Sequence, residues 1–278
     1  MSLAYYNGKF SSPEEVSVSL CDRAIFFGDG IYEVMLARNK KTYLPKMHYD
    51  RFYKNLELLG INFDMTADEL SSLISKMLVM ANEDVALVYF QATKFSKSRT
   101  HVCPPSDKYN LLITVTPQPL PSPKKKLRLL TYPDLRYYYC NVKTLNLLPS
   151  VIASEYASRN GADEAVLCRG KTVTECAHSN VFTVMDGILY THPKCELILP
   201  GISRERLLMI AKSLGIPYRE EAFEKNDLYE ADEIIVTSST KLAQLAESID
   251  GFNLKGEKSE IGRLLCNAIY NDFIENTD

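Results

Sequence analysis

The stretch CNVKTLNLLPSVIASE, from Cys140 to Glu155, contains a single cation, Lys143, in a mostly apolar segment that leads into a predicted helix. A lysine that loses its water of hydration also loses proton affinity, and its amine becomes a nucleophile suited to Schiff-base chemistry. An exposed lysine on a strand is the commoner situation, since lysine side chains are rarely buried. This segment alone leaves both interpretations open.

The regions around this stretch predict two domains. The chain has 278 residues, which at about 150 residues per domain indicates two cores. TPQPLPSPKKK, from Thr116 to Lys126, has four prolines within seven residues and ends in three lysines. Prolines cannot donate to a sheet ladder, and lysines stay in water. We therefore predict an N-terminal domain at 1–115, a Pro-rich linker at 116–124 and a C-terminal domain at 125–278 that carries Lys143.

Strand-like and helix-like patterns alternate irregularly on both sides of the linker. Runs rich in β-branched and aromatic residues predict strands at Ala4–Phe10, Val16–Ser19, Gly30–Leu36, Val85–Thr93, Tyr109–Thr116, Lys126–Tyr132, Glu164–Cys168, Val181–Tyr190 and Glu233–Thr237. Apolar residues at helical spacing predict helices at Pro45–Leu59, Thr66–Met80, Pro149–Arg159, Arg204–Leu214 and Lys258–Ile274. Asp186-Gly187 predicts a hairpin, and Ser203 predicts an N-cap. Without strict βαβ alternation, this pattern indicates α+β domains.

The composition excludes several classes of function. Lys and Arg total 32 against 35 Asp and Glu, so the chain has no net positive charge that would favour binding to nucleic acid or to an acidic membrane surface. No apolar run reaches the roughly 20 residues of a membrane span, and the N-terminus MSLAYYNGKF does not resemble a signal peptide. The seven cysteines form no C-x-x-C pair and the four histidines no H-E-x-x-H spacing. We therefore predict a reduced, cytoplasmic protein without a bound metal.

The motif FGDGIYEV, from Phe27 to Val34, contains two closely spaced glycines. A dinucleotide-binding loop of the type G-x-G-x-x-G needs a third glycine, and Glu33 occupies that position. The motif therefore predicts a tight turn into a strand rather than a dinucleotide site.

Further polar residues are candidates for ligand binding. Glu175, in TVTECAHSNVF, lies between two predicted strands with few charged neighbours, and a turn carboxylate is the alternative interpretation. Ser203 and the cluster Ser238–Thr240 carry hydroxyls that could bind phosphate, although capping is the commoner use of such residues. Arg99 and His101, in KFSKSRTHVCPP, could hold a carboxylate or could form an exposed basic loop.

One cofactor would use all of these candidate residues. Pyridoxal 5'-phosphate has a phosphate, a carbonyl that reacts with a lysine, and a ring nitrogen that can face a carboxylate. The chain resembles the class IV pyridoxal-phosphate aminotransferases, of fold type IV, and within them most resembles the D-amino-acid transaminases. The segments that carry the resemblance follow the family order: FGDGIYEV, HYDRFYKNLELLGI, YFQATKFSKSRTHVCP, CNVKTLNLLPSVIASE, NGADEAVL, TVTECAHSNVFTVMDGILYTHP, LPGISRE and EADEIIVTSST.

The resemblance implies a two-domain α+β fold, with a smaller N-terminal α/β domain and a larger C-terminal pseudo-barrel domain with flanking helices that binds the cofactor. It implies that Lys143 is the catalytic Schiff-base lysine and that Glu175 pairs with the pyridine nitrogen. Leu199 would support the cofactor ring. The phosphate contacts that the resemblance implies are Arg51, Ile202, Ser203, Ser239 and Thr240.

The resemblance also implies how the substrate is bound. Tyr32, Arg99 and His101 would bind the carboxylate of the substrate in a homodimeric enzyme. The implied function is pyridoxal-phosphate-dependent transamination between D-amino acids and 2-oxo acids, of the D-alanine/2-oxoglutarate type. The implied partners are therefore these small molecules, with neither nucleic acid nor membrane.

Two other functions remain as alternatives. The first is 4-amino-4-deoxychorismate lyase, a β-elimination with the same cofactor, whose pattern shares the Glu175-Cys176 start. The second is a branched-chain L-amino-acid transaminase. The chain also departs from the D-amino-acid transaminase pattern at Ala177 and His178 and at Lys94-Phe95. We expect these departures to reshape the side-chain pocket or the carboxylate contact.

Overall fold

The computed structural model describes residues 2–96, 99–104, 108–254 and 259–278. The chain forms two compact units. The first unit comprises Met1–Leu120, Val142–Asn146 and Ile274–Asp278, and the second comprises Pro121–Asn141 and Leu147–Phe273.

An antiparallel sheet forms the frame of the first unit. Its strands are β1 (Leu3–Tyr6), β2 (Lys9–Ser11), β3 (Gly30–Arg38), β4 (Lys41–Thr42), β5 (Val85–Lys94) and β6 (Tyr109–Pro117). Across the sheet they follow the order β2-β1-β6-β5-β3-β4. The prediction of one strand at Ala4–Phe10 is wrong, because Asn7 and Gly8 have φ angles of 46° and 93° and turn the chain into a hairpin.

The helices of the first unit are α1 (Arg23–Phe27), α2 (Pro45–Leu59) and α3 (Ala67–Ala81). The predicted capping box of α3 is confirmed, since Thr66 and Glu69 exchange hydrogen bonds between side chain and backbone. The core of the unit combines buried side chains of the sheet with those of α2 and α3, among them Ile31, Phe90, Phe52, Leu70 and Ile74.

The predicted strand at Val16–Ser19 is absent from the described structure. Its last residue belongs to a turn, because the Ser19 carbonyl accepts a hydrogen bond from Asp22 N at 2.9 Å and its hydroxyl accepts one from Cys21 N at 3.1 Å. This turn leads directly into α1, a five-residue helix that is too short to give a periodic sequence pattern.

A short extended segment, Val142–Asn146, also belongs to the first unit. Tyr32 N donates to Lys143 O at 3.0 Å, and Leu145 N donates to Gly30 O at 3.2 Å. The segment therefore lies along the start of β3. This position differs from the prediction that the C-terminal domain carries Lys143, because backbone pairing with a distant part of the chain is invisible in local sequence.

A mixed sheet forms the second unit. Its strands are β7 (Leu127–Pro133), β8 (Glu164–Arg169), β9 (Thr172–Cys176), β10 (Asn180–Met185), β11 (Ile188–Thr191), β12 (Tyr218–Glu220), β13 (Glu233–Ser238), β14 (Leu242–Ile249) and β15 (Phe252–Asn253). Their order is β12-β11-β10-β13-β14-β7-β8-β9, with β15 beside β14. The predicted hairpin at Asp186-Gly187 joins β10 to β11 and is confirmed. The prediction that Glu175 lies between two strands is wrong, because Glu175 is part of β9, which pairs with β8.

The remaining helices are α4 (Leu148–Arg159), α5 (Ile202–Ser213), α6 (Lys225–Glu230) and α7 (Ile261–Asn276). The prediction that Ser203 is the N-cap of α5 is wrong. Gly201 holds that position in extended geometry, and its carbonyl accepts from Glu205 N at 3.0 Å. Ser203 lies instead in the first turn of the helix. Among the described residues, none of the helices combines the length and the apolarity needed to cross a bilayer.

Gly30 offers a direct test of how closely the Lys143 segment packs on β3. A Cβ atom at Gly30 would lie 2.7 Å from the Ala92 carbonyl oxygen and 2.9 Å from Leu145 Cδ1. Because a backbone carbonyl within a sheet cannot move aside, we expect Gly30→Ala to destabilise the protein by about 1 to 3 kcal/mol. Chemical denaturation would measure the change, and a free energy of unfolding equal to that of the wild type would show that the packing is looser than described.

Candidate active site

Lys143 lies half-buried above an aromatic ring of the first unit. Its Nζ atom is 4.1 Å from the centroid of the Tyr32 ring, and Tyr32 in turn stacks on Tyr89 at 5.5 Å. Within the described residues of its own unit, the Lys143 amine has no hydrogen bond or ion pair. An amine held in place by its backbone, with no carboxylate partner, is available to react with a carbonyl group.

Arg51 and His48 lie on one face of α2 and contact a buried carboxylate on β3. Arg51 Nε and Nη2 donate to the two carboxylate oxygens of Glu33 at 2.7 and 2.9 Å, and His48 Nδ1 lies 2.7 Å from Glu33 Oε2. Burial acts to raise the pKa of Glu33, but the charge of Arg51 and the hydrogen bonds from His48 and Arg51 outweigh it and lower the pKa to about 2. Burial lowers the pKa of His48. Glu33 is therefore an anion that fixes the direction of the Arg51 guanidinium.

The sequence analysis did not identify Glu33 or His48 as site residues. A usable signal was present, because Glu33 falls between Ile31 and Met35 on the buried face of β3. A carboxylate on an apolar strand face requires a cation. The prediction that Arg51 binds phosphate stays a prediction.

Glu175 lies at the centre of a hydrogen-bond network in the second unit. Its carboxylate accepts from Asn180 Nδ2 at 2.8 Å and from Leu199 N at 3.1 Å to both oxygens, and it forms an ion pair with Arg136 Nη1. The residue is 4% exposed. Leu199, predicted to support a cofactor ring, is thus fixed through its backbone by the same carboxylate.

Arg136 is shared between two carboxylates. Its Nε donates to Asp134 Oδ1 at 2.9 Å and its Nη2 to Asp134 Oδ2 at 3.0 Å, while Nη1 serves Glu175. Burial raises the pKa of Glu175 to about 7, and the charge and hydrogen bonds of Arg136 limit that rise. The same pairing makes the pKa of Asp134 lower than usual despite burial. Glu175 is thus a buried carboxyl whose charge depends on one guanidinium.

Arg136 and Asn180 are further residues that the sequence analysis missed. The only signal for Arg136 is an Asp134-Leu-Arg136 pair within the aromatic segment TYPDLRYYY. Asn180 bridges the site, since its Nδ2 donates to Glu175 and to the Leu199 carbonyl at 2.9 Å. A Cβ atom at Gly201 would collide with Asn180 Oδ1, so a larger residue here would displace the side chain that binds Glu175.

The start of α5 and the turn after β13 provide donors suited to a phosphate. Gly201 supplies no side-chain cap, which leaves the first-turn N–H groups of Ile202 and Ser203 to other acceptors. In the turn, the Ser238 hydroxyl lies 3.2 Å from the Thr240 hydroxyl and accepts from Lys241 N at 3.2 Å. Ser239 and Thr240 are half-exposed in this turn. Because α5 packs against β13 and β14, both groups of donors belong to one region of the second unit.

His178, one of the departures noted in the sequence, belongs to a charged cluster beside this turn. Glu164 Oε2 lies 3.0 Å from both Lys241 Nζ and His178 Nε2, and it accepts from the Ser179 hydroxyl at 3.0 Å. Burial acts to raise the pKa of Glu164, but His178 and Lys241 lower it overall. The Glu164 anion therefore ties Lys241, and with it the Ser239-Thr240 turn, to β8.

Arg99 and His101 are exposed and lie against an aromatic residue of the FGDG motif. The Arg99 guanidinium is 5.3 Å from the Phe27 ring centroid, and the His101 ring is 5.6 Å from it. Lys94, the other departure, pairs with Asp29 of the same motif at 3.4 Å. The first unit thus contains Tyr32, Lys143 and Arg51 as well as this pair, and the second contains the remaining predicted site residues.

The chain is similar to known proteins in sequence and in structure. The family described as "Amino-transferase class IV" matches residues 30–249. A D-alanine aminotransferase from Staphylococcus epidermidis is 36% identical over 269 residues, which cover 95% of both chains. One from Listeria monocytogenes is 34% identical over 257 residues, with coverage of 91% of this chain and 89% of the relative.

Solved structures extend the likeness to the whole fold. The branched-chain amino acid aminotransferase of Escherichia coli superposes with a TM-score of 0.89 at 21% identity, covering 99% of this chain and 96% of that one. A putative 4-amino-4-deoxychorismate lyase from Legionella pneumophila gives 0.85 at 24% identity, over 94% and 97%. At these identities the likeness concerns the fold alone, and it confirms the predicted α+β fold type IV.

The pairing of Arg136 with Glu175 predicts a measurable titration. Arg136→Met removes the charge that lowers the pKa of Glu175, so we expect this pKa to move above 7 and the carboxyl to be protonated at neutral pH. Infrared spectroscopy would follow the protonated carboxyl band, assigned by its loss in Glu175→Gln. Arg128→Met, which breaks an exposed pair with Asp163, is the control and leaves the band unchanged. A band with the same midpoint in Arg136→Met and wild type would contradict the pairing.

Proposed function

Because the chain belongs to the class IV aminotransferases, we propose that it transfers amino groups between D-amino acids, of the D-alanine type, and 2-oxo acids with pyridoxal 5'-phosphate as its cofactor. The observation that carries this proposal is the 36% identity to a D-alanine aminotransferase over 95% of both chains. The presence of Tyr32, Arg99 and His101, which the resemblance assigns to the substrate carboxylate, supports it further.

The donors in the structure fit the chemistry of this cofactor. A pyridine N–H needs an acceptor, and the buried Glu175 carboxylate is one. A phosphate needs N–H and hydroxyl donors, which the uncapped start of α5 and the Ser239-Thr240 turn provide. An aldehyde needs an amine without a competing anion, which describes Lys143 within its own unit. Arg51, oriented by Glu33, would add a guanidinium for the phosphate.

Bound pyridoxal phosphate supplies an aldehyde that condenses with an amino group and a ring that accepts electrons from the substrate Cα. Glu175, as an anion, would keep the proton on the pyridine nitrogen. Arg136 makes this possible, since it holds down the pKa of a carboxyl that burial alone would neutralise. Asn180 and the Leu199 N–H keep the carboxylate in one orientation.

Lys143 would first bind the cofactor and then, once displaced by substrate, move the proton at the substrate Cα as acid and base. The backbone pairing with β3 and the Tyr32 ring hold its chain in place for that transfer. Which enantiomer offers its hydrogen to Lys143 depends on where the carboxylate is anchored. We expect an anchor at Tyr32, Arg99 and His101 to favour D-amino acids.

The lyase alternative gains no support from the residue that suggested it. Cys176 is 1% exposed and packs in the apolar core of the second unit. Burial raises the pKa of its thiol well above the ordinary value, which leaves the sulfur unreactive. Cys176 therefore contributes to the packing of the core rather than to an elimination reaction.

A spectroscopic experiment tests the proposed function. Purified holoenzyme is mixed with D-alanine or with L-alanine, and the absorbance of the bound cofactor and the release of pyruvate are recorded. We expect both signals with D-alanine, and Lys143→Ala to abolish turnover, whereas Lys46→Ala, at an exposed lysine paired with Asp50, retains it. A response only to L-branched amino acids, or pyruvate release from aminodeoxychorismate without a 2-oxo acid, would contradict the proposal.

We also propose that the protein is a cytoplasmic homodimer. All seven cysteines are free, as expected in a reducing compartment. On α4, Ala153 and Ala157 face the core, while four large apolar side chains on the outer face are exposed by 46 to 69%: Leu148, Val151, Ile152 and Tyr156. Such a stripe on a helix is typical of a surface that packs against a second copy.

The oligomeric state can be tested on this outer face of α4. We expect Ile152→Glu to convert the dimer to a monomer, because it would bury a charge in the apolar contact. Val79→Glu, at an exposed apolar residue of α3, is the control and retains the dimer mass. Light scattering after gel filtration would measure both variants. An unchanged mass for Ile152→Glu would exclude this face as the interface.

A further inference from the structure

The function proposed above does not account for a buried arginine in α1. Arg23 is 5% exposed, yet all three nitrogens of its guanidinium have acceptors. Nε donates to Asp29 Oδ2 at 2.7 Å, Nη1 to Thr100 O at 2.7 Å and Nη2 to His101 O at 3.1 Å. Two of these acceptors are consecutive backbone carbonyls of the segment that carries Arg99 and His101.

The Phe27 ring connects the same residues through a second kind of contact. The Arg23 guanidinium lies 4.5 Å from the ring centroid, the Arg99 guanidinium 5.3 Å from it, and the His101 ring 5.6 Å from it. A cation over an aromatic face is attracted by the ring quadrupole. Phe27 therefore contacts the side chains of Arg99 and His101, and Arg23 binds the backbone carbonyls of Thr100 and His101 in the same segment.

The residues that precede Arg23 in the chain are hydrogen-bonded to β5 and to the residue that follows it closely. Asp22 caps α1 by accepting from Ala24 N at 2.8 Å, and it also accepts from the Thr93 hydroxyl of β5 at 2.9 Å. Ser96 N donates to Cys21 O at 2.9 Å, so the chain is paired with this region just before the Arg99 segment. The base from which Arg23 extends is thus rigid.

The chemistry of the guanidinium explains why an arginine occupies this place. A buried cation is costly unless its N–H groups are paired. Arginine presents them in a planar fork that can bind a carboxylate and two carbonyls at once, whereas lysine is a single point charge. The bound carbonyls of Thr100 and His101 belong to the two peptide planes that flank the His101 Cα, so holding both restricts the backbone rotation at His101.

We propose that Arg23 is a positioning residue for the substrate carboxylate: it fixes the backbone from which Arg99 and His101 project, and Phe27 fixes the direction of their side chains. This inference rests on the proposed function, because it takes Arg99 and His101 as the carboxylate ligands. It also gives the FGDG motif a role, in which Phe27 and Asp29 hold the carboxylate-binding segment through Arg23.

Arg23→Lys tests this inference, with Arg38→Lys as the matched control. Arg38 also donates to a backbone carbonyl, Ile274 O at 3.4 Å, and pairs with Asp278, but it does not contact the Arg99 segment. We expect Arg23→Lys to reduce kcat/KM for D-alanine at least about tenfold, mainly through KM, because the loss of charged hydrogen bonds misplaces the carboxylate ligands. The absorbance of the bound cofactor and the melting temperature should match those of the control.

A substrate without a carboxylate separates positioning from general damage. We expect kcat/KM for D-alaninol to stay unchanged in Arg23→Lys, and the inhibition constant of propionate to rise by the same factor as KM for D-alanine. An equal loss for D-alanine and D-alaninol would assign Arg23 to overall structure and overturn the inference. Unchanged kinetics for D-alanine would overturn it as well.

Hydrogen exchange provides a readout independent of activity. Backbone amides of residues 99–103 should exchange faster in Arg23→Lys than in wild type or Arg38→Lys, and equal rates would overturn the inference. If the wild type fails to use D-alanine, the proposed function fails, and these rates still decide whether Arg23 anchors the segment. Should Arg23→Lys not fold, Phe27→Leu replaces it, with the same expected direction for KM and for exchange.

Discussion

The Arg136 guanidinium limits the rise in pKa that burial imposes on the Glu175 carboxyl, and the site in the second unit is built around that contact. Burial of an unpaired carboxylate would neutralise it. Arg136 also binds Asp134, so the cation is held between two anions rather than beside one. Glu175 also accepts hydrogen bonds from Asn180 and from the backbone of Leu199, which lies shortly before α5.

The first unit contains a related arrangement with a different electrostatic outcome. Glu33 is as deeply buried as Glu175, but its pKa falls to about 2 whereas that of Glu175 rises to about 7. The difference follows from the partners. Glu33 receives two hydrogen bonds from Arg51 and one from His48. Glu175 shares its guanidinium with Asp134, whose negative charge acts against it. Glu33 therefore stays ionised at neutral pH, whereas the ionisation of Glu175 depends on its surroundings.

Guanidinium groups thus connect residues that are distant in sequence in both units. Arg51 joins α2 to β3, Arg136 joins the segment after β7 to β9, and Arg23 joins α1 to the segment after β5. In each case the fork of N–H groups binds two or more acceptors at fixed angles. The guanidinium therefore fixes the relative positions of the groups it joins as well as pairing with their charge.

The sequence by itself determined the regular elements, the family and the residue types of the chemistry. The capping box at Thr66 and the hairpin at Asp186-Gly187 were predictable because both depend on neighbours within a few residues. Lys143 and Glu175 could be selected because each occupies a recognisable family motif. The hairpin turn at Asn7-Gly8 and the turn at Ser19 were missed, since strand-like composition masked the local turn chemistry.

Tertiary structure alone decided which partners each charged group has. Arg136 meets Glu175 across 39 positions of sequence, and Arg23 meets the Thr100 carbonyl across 77. No periodicity reports such pairs, because they arise when strands and loops from distant parts of the chain are brought together. The pKa of Glu175 depends on its pairing with Arg136, and the backbone position of Lys143 depends on the hydrogen bonds of its segment with β3. Local sequence therefore specifies which groups the protein has, and only the fold specifies their charge and direction.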